Sequence, residues 1–375
     1  MIDQKNVDRV IKRHRDFWKR PPTDRPLLGF PFQWEHGLGT KLGLKKGPLT
    51  PDMLDPELFV TFYEDGIKEG GLFEGDLLRV ANCQRLPWAE SRPDGSIRHR
   101  SARAASIPWS PAIMGCEVEV SSDSLWTKPL PPGQAPTDLT TLGENPWLAK
   151  AIEITGVLNR KFGKTYPTCP PDVLGPADML AAILGTEQMC LDMIDNPAKI
   201  KSLVGLCTDV WLGVHEKFKP LEIEFRGGHC ESRFQLWAPG VTTVTQDDCA
   251  IFFSPKRYDE FLTPVNRRTF ASSPYSIMHA HTGAAHTFEA ILSIPELGAM
   301  QVHLDPNGPS VAEMIPTLVK IQRMGKPLII FKEFKLTELE TLLDGLRPEG
   351  LCIMAISASE KAALEFMQRL IEEKK

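Results

Sequence analysis

From Glu144 to its end the chain repeats one pattern: an amphipathic stretch of helical period, then a short, mostly apolar segment, then a polar residue or a glycine. Helices are expected at Glu144–Phe162, Met179–Leu184, Asn196–Phe218, Pro255–Ala271, Ala284–Leu292, Val311–Met324, Leu336–Leu346 and Ala358–Lys375. Short strands are expected between them, at Tyr166–Cys169, Leu221–Phe225, Val241–Thr245, Ser276–Ala280, Met300–Leu304, Pro327–Phe331 and Leu351–Ala355. A strand that is apolar on both faces has no side for water. Such strands alternating with helices indicate a parallel sheet covered by helices.

Earlier apolar runs at Pro26–Phe32 and Leu77–Ala81 bring the strand count to about eight. Polar residues recur at the C-terminal ends of these strands, where a (β/α)8 barrel builds its active site. The expected fold is therefore a TIM-type (β/α)8 barrel, a single domain over residues 1–375. Residues 3–20 carry Val7, Val10, Ile11, Phe17 and Trp18 among charges before Pro21-Pro22, which predicts an N-terminal helix. Residues 90–140 differ in texture, with short β-like pieces and the proline-rich Pro129–Pro136, and are expected to form a β-rich insertion or lid at one mouth.

Charge and composition narrow the partner. A net charge of -5 with no sustained Lys/Arg run argues against a nucleic-acid surface. No apolar run reaches the roughly 18 residues of a membrane span, and the polar start lacks the apolar core of a secretory signal, so a cytoplasmic location is expected. The eight cysteines are dispersed without a CxxC pair, which points to reduced, mostly buried thiols. A small-molecule substrate is the expected partner, and the oligomeric state is left open.

The candidate site residues sit at strand ends. Tyr275-Ser-Ile-Met-His279-Ala-His281 places two imidazoles on one face of a strand, because alternate side chains share a face. If His303 ends the neighbouring strand, three nitrogen ligands converge, as in a zinc site with an open position. The same histidines can equally serve as site acids, bases or hydrogen-bond donors. Gln33, Trp34, Glu35 and His36 follow the first apolar run. Asp178, Arg226, His229, Arg233 and the pair Asp247-Asp248 follow later ones. Only one member of the aspartate pair can face a pocket in extended chain, with Asp247 or Glu35 as the candidate acid/base. His36 and Asp178 join them as candidate catalytic residues, and Gln33, Trp34, His229 and Tyr275 as substrate contacts. Arg226 and Arg233 can hold a carboxylate or phosphate in bidentate fashion, or pair with acids at the surface. Cys230 and Cys249 lack a fixed spacing to a histidine that would mark a catalytic pair. No Walker loop, GxGxxG or GxSxG is present.

In their order, several blocks resemble the uroporphyrinogen decarboxylase superfamily: Gly175-Pro-Ala-Asp178-Met, Ile183-Leu-Gly185-Thr-Glu, Ile194-Asp-Asn-Pro197, Gln246-Asp247-Asp248 with Ser254-Pro255, His279-Ala-His281-Thr-Gly283 and Lys320-Ile-Gln-Arg-Met-Gly-Lys326. The resemblance covers most of residues 145–375 and more faintly Pro87-Trp88 and Ile113–Cys116. It implies a (β/α)8 barrel and one of two chemistries: cofactor-free porphyrinogen decarboxylation, or zinc-dependent methyl transfer to or from a corrinoid protein or a thiol. Where the decarboxylases carry Arg-Gln-Ala-Gly-Arg-Tyr, this sequence reads Phe32-Gln-Trp-Glu-His-Gly37, and it has no histidine after His303.

The methyltransferase branch carries His-x-Cys on one strand. Here His279 matches the histidine and His281 replaces the cysteine. His303 falls where the cobalamin-independent methionine synthases place a carboxylate ligand, and Cys352 falls too early to match the last family cysteine. Three histidines without thiolate make a more Lewis-acidic metal. Three functions follow as expectations: a zinc-assisted methyltransferase working with a corrinoid protein, a cofactor-free lyase on a small carboxylate, and a non-catalytic binding barrel.

Overall fold

The computed structural model describes residues 4–29, 44–70, 73–91, 94–100 and 105–356. Gln33, Trp34, Glu35, His36 and the expected helix at Ala358–Lys375 lie outside the described residues.

The chain is a mixed α/β protein built on a six-stranded parallel sheet. Its strands are β1 (Leu27–Gly29), β2 (Thr242–Gln246), β3 (Tyr275–His281), β4 (Ala299–His303), β5 (Leu328–Glu333) and β6 (Leu351–Ile356), arranged β1-β6-β5-β4-β3-β2. All five pairings are parallel. The expected strands Leu77–Ala81 and Tyr166–Cys169 meet in an isolated parallel bridge, Ala81 to Thr168, while Leu77–Leu78 pairs antiparallel with Phe73–Glu74 and Gly75 bridges Gly29. Among the described residues no ladder joins β2 back to β1.

Register sorts the inner face into layers. Val244, Ile277 and Ala299 lie side by side, then Gln246, His279, Gln301 and Ile329, then His281, His303, Phe331 and Met354. Val244, Ile277, Ala299, Ile329, Phe331 and Met354 belong to one apolar cluster, with Phe17, Leu77, Phe234 and Leu236. The opposite face packs into a separate, larger cluster with the helices. Both faces are thus buried, which is why strands such as Leu328–Glu333 and Leu351–Ile356 carry apolar residues at successive positions.

The helix Gln4–Lys19 seals the N-terminal edge of the inner face. Its apolar stripe of Val7, Val10, Ile11 and Phe17 is buried, and Trp18 packs edge-on to Tyr275, the first residue of β3, at 4.9 Å. Within that stripe His14 is fully buried: its Nδ1 accepts from Trp237 N–H at 2.8 Å, so Nε2–H donates to Asp76 O at 2.6 Å. Asp76 in turn receives Arg25 in a bidentate pair, Nη2 to Oδ1 at 3.0 Å, and Leu28 N–H at 3.1 Å. One buried carboxylate ties β1 to the segment leading into Leu77–Leu78.

Helix boundaries follow their caps. Asn145 accepts from the N–H groups of Trp147 and Leu148 and opens Pro146–Phe162, and Ser310 with Glu313 forms a capping box at Val311–Arg323. The expected helix Pro255–Ala271 is two, Pro255–Phe261 and Thr263–Phe270, because Pro264 has no N–H to continue the ladder. An unexpected helix, Thr186–Asp195, follows Gly185. The expected strand Leu221–Phe225 does not form. Phe225 N–H closes onto Gly228 O in a turn with Arg226 and Gly227 at φ 57° and 74°, and the strand that follows is the short His229–Cys230, antiparallel to Trp237–Ala238.

Within residues 90–140, hairpin Trp88–Ser91/Ile97–Arg100 is followed by a helix at Trp109–Ile113. Strands Val118–Val120 and Leu125–Thr127 then join Gly47–Leu49 in a three-stranded antiparallel sheet. Among the described residues no helix is long and apolar enough to cross a membrane.

At Gly175 a loop presses closely on the sheet: a Cβ there would lie 2.2 Å from Gln246 O and 2.4 Å from Thr245 Oγ1. Gly175→Ala is expected to cost about 1–3 kcal/mol through overpacking, read as a lowered thermal midpoint. An unchanged midpoint would show that β2 and this loop are not in contact.

Candidate metal centre

His279 and His281 leave the same face of β3, and the pairing of β3 with β4 sets Gln301 beside His279 and His303 beside His281. The three imidazoles offer ligand atoms all within 4.8 Å of one another. The rings of His279 and His281 stand 4.8 Å apart at 86°, and those of His281 and His303 are 4.7 Å apart.

The second nitrogen of each ring on β3 is already committed. His279 Nδ1–H donates to Gln301 Oε1, and His281 Nδ1–H donates to Asp305 Oδ1 at 2.5 Å. Each acceptor takes an Nδ1 proton, which in a neutral ring leaves the lone pair on Nε2, the state a metal ligand requires. Burial, the Arg233 charge and the neighbouring His281 hold the His279 pKa well below the ordinary histidine value, keeping it a neutral donor. Burial opposes the charge on Asp305, but hydrogen bonds from His281 and Thr282 outweigh it and hold that carboxyl below the usual range. Among the described residues His279 Nε2, 2% exposed, has no hydrogen-bond partner. An orphaned buried nitrogen beside two further imidazoles fits a metal ion.

Of the aspartate pair, Asp248 faces the histidines and Asp247 turns away. Asp247 Oδ2 accepts from Tyr258 Oη–H and Asn266 Nδ2–H, each at 2.6 Å, and the residue is 2% exposed; burial pushes its pKa up to about 6 against those two bonds. Asp178 is also buried. It accepts from Gln246 Nε2 at 2.9 Å and from the N–H groups of Asp248 and Cys249, so it fixes the turn that carries Asp248. Burial, with the nearby Asp248 and Asp247 charges, raises its pKa to about 8.

A cavity of about 280 Å³ adjoins this centre, with His279, Gln301, Gln246, Arg233, Asp172 and Phe331 in its wall. Arg233 binds Asp172 Oδ2 at 2.8 Å and also donates to Gln246 Oε1. Gln84 Oε1, Gln235 Oε1 and Gln301 Nε2 belong to lining residues and are buried without a hydrogen-bond partner among the described residues. Each such atom costs about 1–3 kcal/mol until a ligand or water meets it, so the wall is built for a polar molecule.

Three expected substrate contacts lie elsewhere. Tyr275 is at the opposite end of β3, against Trp18, six residues or roughly 20 Å of extended chain from His281. Arg226 is exposed on the turn that replaced the expected strand, and His229 lies in the adjoining antiparallel pair; neither lines the cavity. Gln301 and Asp305 were legible but unused: Gln301 stands two residues before His303, the spacing that puts both on one face.

No protein-family model matches the chain, and no curated protein sequence does. Among solved structures the chain is similar to a methyltransferase from Methanosarcina mazei, with 13% identity over 97% of this chain and 98% of that one, at a TM-score of 0.62. At that identity the likeness is one of fold, and it runs along nearly the whole length of both chains.

Proposed function

We propose that the protein is a metal-assisted methyltransferase acting on a small polar molecule, with His279, His281 and His303 as metal ligands and zinc as the metal. The observation that carries this reading is the pair of committed Nδ1 atoms, which leaves the Nε2 atoms for a ligand role beside a third imidazole, with ligand atoms of the three rings within 4.8 Å of one another. The likeness in fold to a methyltransferase supports the reaction type. The same reading completes the six-stranded sheet to an eight-stave barrel through Ala81 and Thr168, and takes residues 90–140, which place Ser106 in the cavity wall, as its lid.

A divalent cation held there supplies a Lewis acid toward a substrate heteroatom. Gln301 and Asp305 orient the ligands. Gln84, Gln235 and Gln301 offer the hydrogen bonds that orient the substrate, and Phe331 closes the wall beside His303 at a ring distance of 5.0 Å. Arg233, held by Asp172, sets the positive side of the cavity. The partner in methyl transfer in this reading is a corrinoid protein, and the organisation of the chain is that of a single domain.

Protein purified without a histidine tag is expected to carry about one metal per chain by elemental analysis, and a strong chelator is expected to remove both metal and turnover. Metal-free protein whose activity ignores the chelator would sink this reading in favour of a cofactor-free lyase that uses His279 for proton transfer.

A further inference from the structure

Asp248 has no role in the reading above, yet its carboxylate is aimed at the centre. Oδ1 lies 3.5 Å from His279 Nε2 and 3.7 Å from His281 Nε2. Its other oxygen, Oδ2, accepts from Gln246 Nε2 at 2.8 Å, and Asp178 pins the backbone on which it sits. The side chain is 43% exposed and is nonetheless turned inward toward two nitrogens.

Those nitrogens cannot both donate to it in the neutral rings, since Gln301 and Asp305 take the Nδ1 protons. Asp248 Oδ1 and the two Nε2 atoms together make a set of ligand atoms for a cation. The distances suit one. Ligand bonds of about 2.0–2.2 Å to a tetrahedral metal put neighbouring ligand atoms roughly 3.3–3.6 Å apart. The two Asp248 contacts are close to that edge length before any movement.

Resting on the assignment of the histidines as ligands, we infer that Asp248 is a fourth, anionic ligand, so that the centre is a three-nitrogen, one-oxygen site for a borderline divalent cation such as Zn²⁺. This donor set contains no thiolate. Its carboxylate lowers the net charge of the centre by one unit, and as the most solvent-exposed ligand it is the one placed to yield to an incoming substrate atom.

Binding of Zn²⁺ to metal-free full-length protein, measured by competition with a chromophoric chelator, tests this. Outer hydrogen-bond partners of ligands are worth about 10–100-fold in metal affinity, so loss of a direct ligand in Asp248→Ala is expected to weaken binding by about 100-fold or more. The Co²⁺-loaded variant should also show an altered visible spectrum relative to the Co²⁺-loaded parent. Asp248→Asn keeps the hydrogen bond from Gln246 while removing the charge, and is expected to weaken Zn²⁺ as well; circular dichroism confirms that both variants are folded. Parent protein binding one Zn²⁺ with unchanged affinity and Co²⁺ spectrum in both variants overturns the inference and leaves the histidine assignment standing. A folded parent protein that binds neither ion overturns both.

Discussion

His279→Ala is expected to lower metal affinity by about 100-fold or more and to take turnover to background, while the protein stays folded. The residue sits in the middle of the inner face, between Gln246 and Gln301, and supplies the lone pair that nothing else in the described structure satisfies. Removing it deletes a ligand but breaks only one hydrogen bond, to Gln301. Asp305→Asn should act more mildly. The ligand His281 remains but loses its charged anchor, and such partners carry about 10–100-fold in affinity. The graded order, with His279→Ala worse than Asp305→Asn, is read as metal per chain after dialysis against a fixed concentration of chelator. Full metal content in His279→Ala would show that the ion, if bound, lies elsewhere.

Asp76→Ala is expected to be the most damaging single change to stability, at about 3–5 kcal/mol. It strands Arg25, which is 8% exposed, without its carboxylate and takes the acceptor from Leu28 N–H. The Asp76 carboxyl is buried, which opposes its charge, but the hydrogen bond and charge of Arg25 hold its pKa below the ordinary 3.8. A carboxyl whose pKa is depressed in the folded state contributes its full stability above the unfolded value and loses it as pH falls through the folded one. The parent protein should therefore lose this contribution as pH falls below about 4, and the denaturant midpoint of Asp76→Ala should vary less over that range. Equal midpoints for the two proteins at pH 7 would show that the ion pair contributes nothing.

Much of this architecture was legible because the relevant signal is local. The runs Ile277–Ala280, Met300–Val302, Leu328–Phe331 and Leu351–Ala355 lie in strands of the parallel sheet, and the alternation in His279-Ala-His281 puts two imidazoles on one face. What failed depended on turns and on partners distant in sequence. The alternating segment Leu221–Phe225 reads as a strand, but Arg226 and Gly227 take up left-handed backbone and reverse the chain just after it. Tyr275 was drawn into the site by nearness in sequence to His279, although the length of a strand carries it to the far end. Choosing Asp248 over Asp247 required knowing that Tyr258 and Asn266, 11 and 19 residues further on, would claim Asp247.

β4 supplies Gln301 and His303, and Asp305 follows two residues later, while β3 supplies the two rings they address. All these contacts span 22 to 24 residues, within one strand–helix–strand unit. The three-histidine part of the centre is therefore assembled by the docking of two adjacent strands and does not wait for the distant N-terminal helix to arrive. In a refolding experiment, the moment at which the chain first captures a metal ion would time the alignment of that one strand pair, since a slip of a single residue between them would turn Gln301 and His303 away from the two rings of β3.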